Sequence, residues 1–233
     1  MKKIFLFILA IFTTVNGYSC ITCNREVQEG IYNSMFYPNL FFMLSAFIVL
    51  GIIVAVLTRL ATKRYRARLE SNPDIKELAS VPLMSAAMVI GIGVGGFVDG
   101  IVFHQILQWH EMLTNKIPAD NFVNKSVNMF WDGIFHSFTL IVTIIGVYLL
   151  WKLLQNININ RSGYVLIGGM AAGWGLFNVV EGIIDHHILA LHNVRELVDN
   201  QAAWNYGFLT LGVVLIILGW LWIKKGEKYA KIA

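Results

Sequence analysis

All six histidines of this 233-residue chain lie in three short stretches, residues 91–110, 131–136 and 173–192, and each stretch also carries acids. Imidazoles and carboxylates ligate zinc, iron, manganese and copper, pass protons, and pair with one another by hydrogen bonds. The stretches are otherwise apolar. Ionisable groups are costly at membrane depth, so their presence there marks a functional site whose members should be found together.

The first and third stretches repeat one pattern. GIGVGGFVDGIVFHQILQWH from Gly91 and GWGLFNVVEGIIDHHILALH from Gly173 share Gly-x-Gly, an acid, Gly-Ile, His, Leu and His at identical spacing. Asp99, His104 and His110 thereby fall on Glu181, His186 and His192, while Asp185 and His187 are additions in the second copy. The middle stretch, Trp131-Asp132-Gly133-Ile134-Phe135-His136, again sets Asp-Gly-Ile ahead of a histidine. Trp131-Asp132 is matched by Trp204-Asn205, with Asn205 and Leu209 standing where the acid and His136 would be. The chain therefore reads as a duplicated helical hairpin related by an axis along the membrane normal. The lost acid and histidine imply one site rather than two equivalent ones.

Helix geometry turns the spacing into a predicted arrangement. Residues four apart share a face, so Asp132 and His136 point to one partner, as do Glu181 and Asp185. Five apart, His186 lies about 140° around from Glu181, and His104 likewise from Asp99. His192 returns to the Glu181 face about 16 Å further along, so one ion reaches both only if the helix breaks. This predicts a deeper tier of Asp99, Glu181 and His136, and a shallower tier of His104, His186, Asp132 and Asp185. His110, His187 and His192 would surround the mouth.

These are the predicted metal-ligating residues, for one or more ions of zinc, iron, manganese or copper. No Cys or Met lies in the motifs, which argues against a site dedicated to Cu(I). Two other readings stand beside metal binding: a metal-free proton or substrate relay, and Asp–His pairs that lock the bundle. The glycines of Gly91-x-Gly93-x-Gly95-Gly96 lie within an apolar span with no strand before them. They are expected to let helices approach closely rather than to cradle a nucleotide.

The elements that must position these residues are membrane helices. The chain is 57% hydrophobic and 14% charged, with a mean hydropathy of +0.63, the composition of a polytopic membrane protein. Its pI of about 9.1 does not indicate nucleic acid, because the basic residues flank apolar spans, where they set topology. The expected fold is an all-α membrane bundle of about five transmembrane helices after removal of a signal peptide, residues 1–17. An exported Cys20-x-x-Cys23 segment (18–36), a first span (37–58) and a cytoplasmic basic loop (59–80) follow. A four-helix domain (81–223, with spans at 81–109, 129–153, 164–192 and 204–223) and a cytoplasmic tail (224–233) complete it. Cys20 and Cys23 read as a metal clamp or redox pair, or more plainly as a small disulfide or two incidental thiols. Arg59, Lys63, Arg64, Arg66, Arg68, Lys224 and Lys225 place one end of the bundle in the cytoplasm. The N-terminus and all the histidines are then outside and the C-terminus inside, in a bacterial inner membrane.

At Gly-Phe-Val-Asp-Gly-Ile-Val-Phe-His, Trp-Asp-Gly-Ile-Phe-His and Val-Glu-Gly-Ile-Ile-Asp-His-His the sequence resembles a bacterial family of polytopic membrane proteins, domain of unknown function 2243. The resemblance covers about residues 82–223 and implies the membrane fold and the motif boundaries, but no activity. The expected function is that of a membrane metalloprotein, a metal-dependent enzyme acting on a lipid, quinone or other membrane-accessible substrate. The alternative is a metal carrier or assembly factor, for example in copper or terminal-oxidase maturation. Membrane lipid is an expected partner, with an oligomer or a membrane complex as further partners.

Overall fold

A computed structural model describes residues 24–72, 78–155 and 158–228. Among them the chain is helical: α1 (Arg25–Ile31), α2 (Phe36–Ser71), α3 (Val81–Val98), α4 (Phe122–Leu154), α5 (Gly163–Glu181) and α6 (Gln201–Lys228). Helices α3 and α5 are each prolonged by a π-helical turn, Asp99–Ile106 and Gly182–Ile188. Counting these extensions, five helices are long and apolar enough to cross a membrane, so the chain is an all-α polytopic bundle. The expected signal peptide and the Cys20-x-x-Cys23 motif lie outside the described residues.

One difference from expectation is the length of α2. The basic stretch expected as a loop continues the helix to Ser71. Residues 57–71 contain Leu, Ala, Arg, Lys and Glu with no glycine or proline, and such residues sustain a helix into solvent. Asn72 ends it, as a residue before proline is pushed out of helical conformation.

Helices α3 and α5 form the central pair. In their most apolar windows 61% and 50% of residues are buried, against 17–22% in the other spans. Glycine lets them touch backbone to backbone. A Cβ at Gly91 would overlap the Met170 carbonyl, and one at Gly173 would overlap the Met88 carbonyl. Gly93 fits under Thr143 of α4, and Gly175 fits against Gly212 and Ile216 of α6. The glycines thus serve packing. Helix α4 flanks α3, α6 flanks α5, and α2 lies across both central helices. The outward Ile52, Ile144 and Ile217 are exposed, as suits side chains facing hydrocarbon.

The bundle has two chemically distinct ends. Arg64, Arg68 and Lys224 gather with Ser80 around the start of α3, at the basic end. The π-helical turns close α3 and α5 at the other, histidine end.

Candidate metal centre

At Asp99 and again at Glu181 the α-helix widens. The Leu107 N–H donates to the Val102 carbonyl and the Leu189 N–H to the Ile184 carbonyl, an i→i+5 pattern. Residues five apart then share a face instead of lying about 140° apart. Asp99 Oδ2 consequently meets His104 Nε2 at 3.2 Å, and Glu181 Oε1 meets His186 Nε2 at 3.0 Å. The straight-helix tiers expected from the sequence do not form, because the π turns bring each acid and its following histidine to one level.

Both helices then reverse. Gln108 (φ 49°) and Ala190 (φ 47°) are left-handed, a conformation that costs a non-glycine residue about 1–2 kcal/mol. The N–H groups of Trp109 and Leu191 close these turns on the Phe103 and Asp185 carbonyls. His110 and His192 are folded back beneath the helix ends and are 3% and 0% exposed. His192 Nε2 lies 3.2 Å from Glu181 Oε1. The expected separation of about 16 Å is removed by a helix break. Two histidines expected at the mouth therefore occupy the middle of the cluster.

Hydrogen bonds fix the imidazole tautomers. His110 Nδ1–H donates to the Val194 carbonyl at 2.8 Å, and His192 Nδ1–H donates to the Met112 carbonyl at 3.0 Å. A carbonyl only accepts, so Nδ1 carries a proton in both residues and Nε2 is the nitrogen left to face the cluster. His104 Nδ1 is 2.9 Å from Asp132 Oδ1. Metal-ligating histidines are held in this way, with the second nitrogen donating to a carbonyl or carboxylate. Burial, with the His104, His192 and His186 rings around it, keeps His110 well below the ordinary histidine range and so neutral.

The Nε2 atoms converge. His186 Nε2, His192 Nε2 and Glu181 Oε1 form a triangle with edges of 3.0, 3.1 and 3.2 Å. Ligand atoms on one tetrahedral ion, each 2.0–2.1 Å from it, stand about 3.3 Å apart, so the triangle matches one coordination face. His104, His110 and His192 form a second group whose ligand atoms lie within 4.8 Å of one another. The His110 and His192 rings stack at 4.6 Å, and His104 stacks on Phe135 at 5.8 Å. His110 Nε2 and both Glu181 oxygens are buried without a hydrogen-bond partner. Glu181 Oε1 thus approaches two imidazole nitrogens without hydrogen-bond geometry, while those two nitrogens lie within hydrogen-bond distance of each other. These buried His and Glu groups could hold a metal ion.

The other candidate residues surround this core. Asp132 accepts from His104, from the Met112 N–H and from Gln105, so it positions rather than joins either group. His136 donates from Nδ1 to the Asp132 carbonyl, and its Nε2 side fills the space left by Gly100. Asp185 is buried with Oδ1 unpartnered. His187 donates to the Gly182 carbonyl and lies beside Tyr206, outside both groups.

Two participants were not foreseen. Asn205 accepts from the Val194 N–H just as Asp132 accepts from that of Met112. The match of Trp204-Asn205 to Trp131-Asp132 was the available signal, since an amide oxygen keeps the backbone bond when the charge is lost. Glu111 was also missed. It is 8% exposed, with Lys125 at 4.0 Å, and burial reinforced by Asp132 pushes its carboxyl up to about 7.

The family described as "Predicted membrane protein (DUF2243)" matches residues 86–226, which include every residue of the two groups. No curated protein and no solved structure matches the chain.

Proposed function

The chain belongs to the predicted membrane protein family DUF2243, and on that premise we propose that it is an integral membrane metalloprotein. Its centre is held by His104, His110, His186, His192 and Glu181, with Asp99 alongside. The observation that carries this reading is the contact between His192 and Glu181. The His192 Nδ1–H is committed to Met112, so Nε2 is the nitrogen that faces a carboxylate oxygen at 3.2 Å. A cation bridges a buried carboxylate oxygen and an imidazole nitrogen held at that distance, either a proton on the nitrogen or a metal ion, and the lack of hydrogen-bond geometry at Glu181 Oε1 favours the metal ion.

Nitrogen and oxygen ligands suit zinc, iron, manganese or copper(II). Such an ion would supply Lewis acidity or an activated water, which fits a metal-dependent enzyme acting on a lipid, quinone or other membrane-accessible molecule. A second reading, a carrier or assembly factor, draws support from the number of protein ligands. Four imidazoles and a carboxylate leave little coordination space for a substrate on a single ion. The discriminator is lability: a carrier exchanges its metal readily with chelators, whereas an enzyme retains it through turnover.

On the positive-inside rule the basic end is cytoplasmic, so the centre opens outside a bacterial inner membrane, with the N-terminus outside and the C-terminus inside. The paired histidine stretches, on this reading, descend from one duplicated hairpin. Elemental analysis of the purified protein tests the proposal. At least one transition-metal ion per chain is expected; none, before and after reconstitution, rejects it.

A further inference from the structure

Beside the centre, at the histidine end, lies a cavity of about 630 Å³ lined by residues including His110, Glu111, Asp120, Lys125 and Glu196. We propose that this cavity is the vestibule through which a hydrated divalent transition-metal cation reaches the centre, and that Glu111 is its first protein ligand. The inference rests on the metalloprotein reading above and adds a route and a residue to it.

Glu111 is the focus because its carboxylate is only partly satisfied. Oε2 is buried and accepts no hydrogen bond, while Oε1 stands 4.0 Å from Lys125 Nζ, beyond hydrogen-bond range. The backbone at this position is rigid, since the Glu111 N–H donates to Thr114 Oγ1 and the Thr114 hydroxyl donates back to the Glu111 carbonyl. A buried carboxyl oxygen without a hydrogen-bond partner on a fixed backbone calls for an explanation, and a transient cation supplies one.

The surroundings agree. Three acids line the cavity against a single lysine, Lys125, and a neutral His110, so the field there draws cations. Asp120 and Glu196 are engaged with neighbouring Asn and Gln side chains, which leaves Glu111 as the available ligand. Next along the chain is His110, whose buried Nε2 has no hydrogen-bond partner and belongs to the His104–His110–His192 group. A cation that exchanges waters for the Glu111 oxygen is therefore one residue from its first imidazole. Hard oxygen first and borderline nitrogen second is the order in which a hydrated divalent ion is readily stripped.

The test is the rate of loading, separated from its extent. Metal-free full-length protein in nanodiscs is mixed with Co(II), and the visible absorbance of the bound ion is followed. Glu111→Gln is expected to reach the wild-type amplitude at least tenfold more slowly. Lys125→Gln, which removes the cation beside Glu111 at a half-exposed position, is expected to load faster than wild type. Wild-type loading rates in both variants would overturn the vestibule while leaving the metalloprotein reading intact. A reduced final amplitude in Glu111→Gln would make Glu111 a resident ligand of the centre and overturn the proposal as well. A wild-type protein that takes up no cobalt would instead reject the metalloprotein reading, and the vestibule with it.

Discussion

The first half of the histidine end, built on α3 and α4, and the second, built on α5 and α6, share a backbone and differ in charge. Each has an acid at the start of a π turn, a left-handed residue where the helix reverses, and a histidine donating to a carbonyl of the other half. Met112 N–H donates to Asp132 in one half and Val194 N–H to Asn205 in the other. Beyond this frame the halves part. Asp132 also holds His104 Nδ1, whereas Asn205 donates to Asn193 and leaves His186 Nδ1 buried without a partner. His136 packs on Gly100 in the first half, and Leu209 packs on Gly182 in the second. The backbone bonds thus set where the imidazoles lie, and the single acid on α4 orients His104 alone.

Substitutions should expose this split, with the largest effect where the halves meet. His192 belongs to both of the groups that could hold a metal ion. His192→Ala is therefore expected to remove nearly all bound metal, while His104→Ala and His186→Ala each leave one group and partial content by elemental analysis. Equal content in all three would break the comparison. Asp132→Asn keeps the Met112 bond but weakens the hold on His104. Chelator competition should show a drop in metal affinity of about 10–100-fold. Asn205→Ala should instead unsettle the fold by about 1–3 kcal/mol, through the unpaired Val194 N–H, and move affinity far less.

Shared frame contacts should respond alike. Gly91→Leu and Gly173→Leu force side chains onto equivalent carbonyls. Thermal unfolding in detergent should show similar losses of about 1–3 kcal/mol or more for the two. Unequal losses would mean that the halves differ in packing as well as charge. The smallest effect is expected at Arg195, whose guanidinium lies 5.0 Å from both the Trp109 and Trp204 rings and so ties the two halves together. Arg195→Ala should cost about 1 kcal/mol of stability and no metal.

The sequence made the location of the site legible. Motifs with identical spacing on alternate spans must end on one side of a membrane, and Asp99, His104, Glu181 and His186 indeed meet there. The local path of the chain was not legible. Helical-wheel reasoning assumes 100° per residue, and the π turns after Asp99 and Glu181 break that assumption. Nor does Gln108 or Ala190 announce a left-handed conformation as glycine would. His110 and His192 were consequently expected at the mouth. The conditional reading, that His192 reaches Glu181 only through a helix break, describes what the chain does.

X-ray absorption at the metal edge, on protein loaded with one equivalent of zinc, tests the central claim most directly. The expected spectrum has a nitrogen/oxygen shell near 2.0–2.2 Å with outer-shell scattering from several imidazoles, and that scattering collapses in His192→Ala. A shell of water oxygens or of sulfur, or a spectrum unchanged by His192→Ala, would contradict a centre built from histidines of both halves.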